Sequence, residues 1–225
     1  HEQAAGVMAA TAGRLTGRAG VCLATLGPGA TNLTTAAAYA GLGGMPLVML
    51  TGQKAIRDGK QGRFQLVDVV DVMRPLTKHA RSLVSGEAIP AAVRDAFRVA
   101  EEERPGAVLI ELPEDVARDE VARAPIARSA QHVPEADESS VTLARRALAA
   151  ARRPVVMVGA GAARGDVSAA LASFVHETGL PFFTTQLGKG VLDEESSAWM
   201  GTAALTSGER VHRLVEESDL VLAIG

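Results

Sequence analysis

Along the opening stretch EQAAGVMAATAGRLT, apolar residues return at helical spacing, with Ala5, Met8, Ala12 and Leu15 on one stripe and Thr11, Arg14 and Arg18 on the wet face. The pattern predicts a helix over Glu2–Thr16. Glu2 belongs to neither stripe. It aligns with Gly6, Ala9 and Gly13, a strip of tiny side chains along which another backbone or a flat ligand can come close. Taken alone, an acid in the first turn complements the positive end of the helix dipole.

Short apolar runs then alternate with helical segments. GVCLATL predicts a strand ended by GPGATN, LTTAAAYAGLGG a helix, and MPLVMLTGQ a second buried strand. The polar, glycine-containing KAIRDGKQGRFQ predicts a loop over a site, LVDVVDVM a short helix, and PLTKHARSLVS a strand with its turn. AIPAAVRDAFRVAEEE is strongly amphipathic, with Ile89, Val93, Ala96, Phe97 and Ala100 as its expected apolar stripe, and RPGAVLIELPEDV adds a turn and a buried strand. ARDEVARAPIARSAQHVPEADESS carries prolines and charges without a sustained period, the look of an interdomain connection. A second series follows: VTLARRALAAA as helix, RPVVMVGAG as strand and glycine turn, GDVSAALASFVHETG as helix, LPFFTTQLGKG as strand and loop, SGERVHRLVEESD as helix and LVLAIG as strand. Apolar strands alternating with helices predict an α/β fold of two open parallel-sheet units, each covered on both faces.

The 225 residues suit one and a half or two such units. Hydrophobic residues make up 47% and aromatics only 3%, so the core must be Ala, Val and Leu rather than rings. A net charge of -3, with arginines scattered among acids, argues against nucleic acid and anionic membrane as partners. Cys22 is the single cysteine, which excludes an internal disulfide and suits a cytoplasmic protein with a buried, inert thiol. No run is long enough to span a membrane, and the start lacks the layout of a signal peptide. A start without Met and a finish on an apolar strand read as a piece of a longer chain.

Among local motifs, TLGPGATN runs a strand into a helix start with Pro28 preorganising the first turn and Gly29 permitting close approach, suited to a polar or anionic group or to an ordinary turn. VGAGAARG spaces Gly159, Gly161 and Gly165 one residue away from the dinucleotide fingerprint, and no acid ends the following strand to hold a ribose. His1, His79, His132, His176 and His212 lack metal-ligand spacing, so no metal site is expected. A nucleophile elbow and a Walker loop are absent, which removes the usual support for hydrolase and kinase readings. Glu111, Glu114 and Asp115, around Pro113, read as solvated carboxylates at a strand end.

Taken in order, HEQAAGVMAATAGRLTG, GVCLATLGPGATN, PLVMLTGQ, GRFQ and RPGAVLIELPEDV resemble the pyrimidine-binding domain of thiamine-diphosphate enzymes of the acetolactate synthase group, and RPVVMVGAG through LVLAIG resembles the first part of that group's central domain. The resemblance implies a pyrimidine-binding domain over residues 1–116 without its first strand, a linker over 117–137, and the start of a Rossmann-like central domain over 138–225. It implies a thiamine-diphosphate-dependent transferase or lyase that decarboxylates pyruvate and condenses the product with a second 2-oxo acid, as in branched-chain amino acid biosynthesis.

In that family the residue matching Glu2 is catalytic: it hydrogen-bonds N1′ of the cofactor's aminopyrimidine and favours the imino tautomer whose N4′ removes the thiazolium C2 proton. Burial would raise its pKa while the helix N-terminus lowers it. Pro28 and Asn32 match positions beside the pyrimidine, Phe64 and Gln65 match the substrate-side loop, and Gln53 lies near the same site. The diphosphate and its Mg2+ bind a third domain bearing Gly-Asp-Gly and Asn-Asn, a motif this chain lacks, so the chain alone is expected to be inactive. Gly159, Gly161 and Thr185 match FAD contact regions of the biosynthetic members, whereas GKGVLDEE is closer to the flavin-free catabolic ones, so FAD stays open. A second identical subunit completing the site and a regulatory subunit are the implied partners. The alternatives are a sister enzyme of the pyruvate oxidase or sulfoacetaldehyde acetyltransferase type, a flavin or nucleotide module without thiamine chemistry, and a noncatalytic interaction fragment.

Overall fold

A computed structural model describes residues 1–57, 62–128, 135–164, 167–204 and 209–225. The chain divides into two units, His1–Val133 and Pro134–Gly225. His132 and Gly165 lie outside the described residues.

The first unit opens with α1 (Glu2–Thr16), capped by the His1 ring accepting from the Gln3 amide and closed by Gly17 in the left-handed region at φ 67. It continues through β1 (Gly20–Ala24), α2 (Pro28–Thr31), α3 (Thr34–Gly43), β2 (Leu47–Gln53), α4 (Val69–Met73), β3 (His79–Ser82), α5 (Ile89–Glu101) and β4 (Ala107–Pro113). The four strands are parallel in the order β1-β2-β4-β3. Strand alternation sends Leu47, Met49, Ala107 and Leu109 to one face, where they pack with Ala10, Ala37, Ala40, Val69 and Met73. Val48, Val108 and Ile110 go to the other face and meet Ala92, Ala96 and Ala100 of α5. Both faces of β2 and β4 are covered, which is why their first four positions read as unbroken apolar runs, whereas β1 leaves Val21 and Leu23 exposed.

Two stripes differ from expectation. In α1 the buried positions are Gly6, Ala10 and Gly13, while Ala5, Met8, Ala12 and Leu15 are exposed. A Cβ on Gly6 would stand 2.5 Å from the Ala36 Cβ, and one on Gly13 would stand 2.2 Å from the Pro46 carbonyl oxygen. The small strip is therefore the packing face, because only hydrogen side chains let α1 lie this close to α3 and to the start of β2. In α5 the buried residues on the sheet are Ala92, Ala96 and Ala100, and Ile89 and Phe97 pack against the same cluster as expected, so Val93 is the position of the stripe that departs. Val93 is part-exposed and lines the cavity behind α5. After β4 a 3-10 turn at Val116–Arg118 leads into irregular backbone over residues 119–128, which is fastened along the first unit: Asp119 accepts from Arg57 and from the Gly86 amide, and Arg128 meets buried Glu101 at 2.5 Å.

The second unit comprises α6 (Glu138–Ala150), β5 (Pro154–Val158), α7 (Val167–Thr178), β6 (Phe182–Thr185), β7 (Trp199–Ala203), α8 (Glu209–Glu217) and β8 (Leu220–Ile224), with parallel strands in the order β7-β6-β5-β8. Val156, Val158 and Phe182 pack with Leu171 and Val175 of α7, and Val155 and Phe183 pack with Val211 of α8 on the other face. β7 has no counterpart in the sequence reading. It is an edge strand with a register shift against β6 and a glycine at φ 125, so neither alternation nor a long apolar run betrays it.

Candidate functional site

β1 and β2 end at Ala24 and Gln53, and the loops leaving them, together with the start of α1, build one polar cluster. α1 turns directly into β1 through Gly17, so its fifteen residues run back along the strand and bring Glu2 to the carboxyl end of the sheet. There the Asn32 side-chain amide donates to Glu2 Oε2 at 3.0 Å. Glu2 is half-buried, and its pKa is held below the ordinary 4.5, first by the Asn32 hydrogen bond and then by its own backbone amide, against a smaller opposing effect of burial. The lowering influences outweigh burial, and the largest of them, from a side chain thirty positions away, is one that the sequence reading of burial against helix N-terminus did not include.

The glycines of GPGATN are fixed by close approach. A Cβ on Gly29 would lie 2.6 Å from the Thr25 methyl and 3.2 Å from Glu2 Oε1. Gly27 sits at φ 56, and a Cβ there would lie 2.6 Å from the Gln65 carbonyl oxygen. The Phe64–Gln65 segment thus rests on the turn that carries exposed Pro28. Gln65 is the one non-glycine at positive φ among the described residues, at 61°, and Phe64 is 78% exposed. A left-handed glutamine next to an outward aromatic is held there by its surroundings. The fold therefore brings Glu2, Pro28 and Asn32 to one edge of the sheet, with Phe64 and Gln65 beside them.

Gln53 is buried and its amide is engaged on every side. Its Nε2 donates to the Val67 carbonyl at 2.9 Å and to Glu111 Oε2 at 3.0 Å, and its Oε1 accepts from the Lys54 amide at 2.9 Å. Its contact with Val67 ties β2 to the end of the Phe64–Gln65 segment. Glu111 is a correction to the reading of solvated carboxylates. It is only 5% exposed, burial raises its pKa, and Ser82 and Gln53 oppose that by hydrogen bonding. Asp115 likewise accepts from the Ile56 and Arg57 amides, whereas Glu114 is exposed and pairs with Arg118. An acid inside the apolar run VLIELP was the signal that could have marked Glu111, because a central parallel strand has no wet face. Thr25 carried no such signal.

In the second unit, Gly159 and Gly161 follow β5 and Thr185 ends β6, so all three lie at the carboxyl edge of that sheet. A Cβ on Gly159 would strike the Gly225 carbonyl oxygen at 2.1 Å, and one on Gly161 would lie 2.7 Å from the Gly225 Cα. The Thr185 hydroxyl accepts from the Gly188 amide at 3.1 Å. Cys22 is buried and its thiol is pushed up to about 11, as expected of an inert residue. Among the described residues, no cluster of His, Cys, Asp or Glu could hold a metal ion and no helix is long and apolar enough to cross a membrane.

Comparison with known proteins meets this geometry at both units. Residues 1–72 match the family described as thiamine pyrophosphate enzyme, N-terminal TPP binding domain, and residues 141–225 match thiamine pyrophosphate enzyme, central domain. The whole chain is 35% identical to an acetolactate synthase of Mycobacterium bovis, spanning 37% of that protein. It is 34% identical to the acetolactate synthase isozyme 2 and isozyme 1 large subunits of Escherichia coli K12, spanning 41% and 40% of them. The chain thus covers about two fifths of the length of these relatives. With both units matched in order and relatives similar along its full length, this chain belongs to the thiamine pyrophosphate enzyme family.

Proposed function

We propose that this chain is part of an acetolactate synthase, in which thiamine diphosphate and Mg2+ serve the decarboxylation of pyruvate and its condensation with a second 2-oxo acid. The observation that carries the reading is the Glu2 carboxylate at the carboxyl end of the sheet: one oxygen is held by Asn32, and the other packs so close to Gly29 that a Cβ there would lie 3.2 Å from it. That donor set fits an aminopyrimidine. When bound, the cofactor supplies a carbon acid that adds to the keto carbon and accepts the electron pair released with carbon dioxide.

The chain's own residues act on the pyrimidine and around the substrate. Glu2 would hold pyrimidine N1′, its carboxylate accepting a hydrogen bond when that nitrogen carries a proton, and Asn32 keeps the carboxylate oriented and ionised. Pro28 and Gly29 wall the ring, and Phe64 and Gln65 border the bound oxo acid. Gln53 serves by anchoring their loop through Val67 rather than by touching substrate. Diphosphate and Mg2+ are held by residues beyond this chain, and a second identical subunit completes the site. A regulatory subunit and a cytoplasmic location accompany the same reading.

The test is Glu2→Gln in the full-length protein, assayed for acetolactate formation from pyruvate. The expected loss is about 10²–10⁴-fold, the range for a positioned acid–base group. An unchanged rate overturns the assignment, and a product other than acetolactate moves the protein to a sister enzyme.

A flavin is a second reading, favoured by one observation. Strand order in the second unit reverses direction at β5 and β8, the usual crevice for a dinucleotide in an open parallel sheet, and Gly159, Gly161 and Thr185 stand along that edge. Incubating the full-length protein with FAD and recording flavin absorbance after gel filtration decides it. Retained flavin supports the reading and its loss removes it.

A further inference from the structure

Two consecutive residues, Gln53 at the end of β2 and Lys54 after it, hold both stems of the turn that carries Phe64 and Gln65. The turn closes with the Leu66 amide donating to the Arg63 carbonyl at 3.0 Å. Before it, the Lys54 ammonium donates to the Gly62 carbonyl at 2.6 Å, and after it the Gln53 side-chain amide donates to the Val67 carbonyl at 2.9 Å. The Lys54 contact is exposed, whereas Gln53 is only 8% exposed.

Behind Gln53 stands Glu111. Thr51 is level with Glu111 and Gln53 with Pro113, so strand alternation puts Gln53 and Glu111 on one face of the sheet, two residues out of register. The buried Glu111 carboxylate accepts from Gln53 Nε2 at 3.0 Å and is also hydrogen-bonded by Ser82. Each Nε2 hydrogen of Gln53 thus has its own acceptor, Val67 or Glu111, while Oε1 accepts from the Lys54 amide at 2.9 Å. An acceptor at position 111 keeps the amide turned this way, with its second hydrogen on the loop. Without it a buried N–H would be left unmade, a cost that turns the amide toward another acceptor and loosens the Val67 contact. Packing in β4 does not itself call for an acid: Ala107 and Leu109, on the same face, are apolar and buried.

We propose that Glu111 is a positioning residue for the substrate-side turn, acting through Gln53 to hold Phe64 and Gln65 against Gly27. Its effect on turnover rests on the acetolactate synthase reading, and its hold on the turn does not.

The test uses the full-length protein with Glu111→Met, Gln53→Met, the two combined, and Glu111→Gln. Hydrogen exchange followed by mass spectrometry reads the turn directly. Peptides over residues 62–69 are expected to exchange about tenfold faster in Glu111→Met and in Gln53→Met, with those over β2 and β4 unchanged. Adding Glu111→Met to Gln53→Met should change nothing further, because Glu111 acts only through Gln53. Glu111→Gln, which keeps the acceptor, should restore the parental exchange. In the pyruvate assay KM is expected to rise about tenfold in Glu111→Met with kcat within about twofold, whereas a loss of folded enzyme would lower the rate and leave KM in place. Additive effects of the two substitutions, parental exchange of residues 62–69 in either single variant, or an unchanged KM would each overturn the proposal. Where Glu111→Met fails to fold, parental exchange in Gln53→Met overturns it alone. A parent that forms no acetolactate from pyruvate removes the functional reading, and the exchange measurement still decides the hold on the turn.

Discussion

The Asn32 amide donates to the Glu2 carboxylate at 3.0 Å, joining the first turn of α1 to the residue that ends α2. Because the bond favours the ionised form, the folded-state pKa of Glu2 lies below 4.5. The stabilisation it gives is fully present above 4.5 and is lost as the pH falls through the lower folded-state value. In Asn32→Ala the carboxyl titration of Glu2, followed by NMR, should move up toward 4.5. An unmoved titration would mean that the helix terminus, not Asn32, sets the charge.

Gly13→Ala should destabilise the chain by about 1–3 kcal/mol despite the better helix propensity of alanine, because the new Cβ meets a backbone oxygen that cannot rotate away. Met8→Ala, on the stripe that sequence periodicity marks as apolar, should stay within about 0.5 kcal/mol. Chemical denaturation of the two variants checks the assignment of faces. The reverse ranking would put the core on the other side of α1.

Glu111 is the opposite electrostatic case from Glu2. Burial raises its folded-state pKa, so its favourable contribution is complete below the unfolded value near 4.5 and is lost as the pH rises through the folded-state value. Glu111→Gln keeps an acceptor for Gln53 and removes the charge. Its melting temperature relative to the parent should therefore rise between pH 4 and pH 8, and a flat difference would show that the carboxylate is not desolvated.

Asp119 is held down to about 2 by the Arg57 guanidinium and the Gly86 amide. Its contribution is present above the ordinary 3.8 and disappears only as the pH falls through about 2. In Arg57→Gln the NMR titration of Asp119 should rise toward 3.8. Retention of the low value would assign the shift to Gly86 alone.

Where the chain's order of apolar and polar positions was decisive, the architecture was readable. β2 and β4 are seven-residue strands that each begin with four consecutive apolar residues, which only a sheet covered on both faces can bury, and the intervening amphipathic segments must be its cover. The candidate site was legible in part, through Glu2 and GPGATN, because residue type and turn chemistry are local properties. Faces of helices were not. The strip Gly6, Ala9 and Gly13 was visible as a line of close approach, but glycine carries almost no hydrophobic signal, so Met8 and Leu15 outweighed it in the periodicity while lying in solvent.

Local pattern thus settles which segments are strands and helices, since backbone preference and apolar spacing act within a few residues. Partnerships across the chain belong to the folded molecule. Glu2 with Asn32, Gln53 with Glu111, Arg57 with Asp119 and the cavity behind α5 all unite residues brought together by the parallel crossovers of one sheet. A hydrogen bond is felt only at about 3 Å, so the charge on each carboxylate was decided by neighbours that linear order places far away.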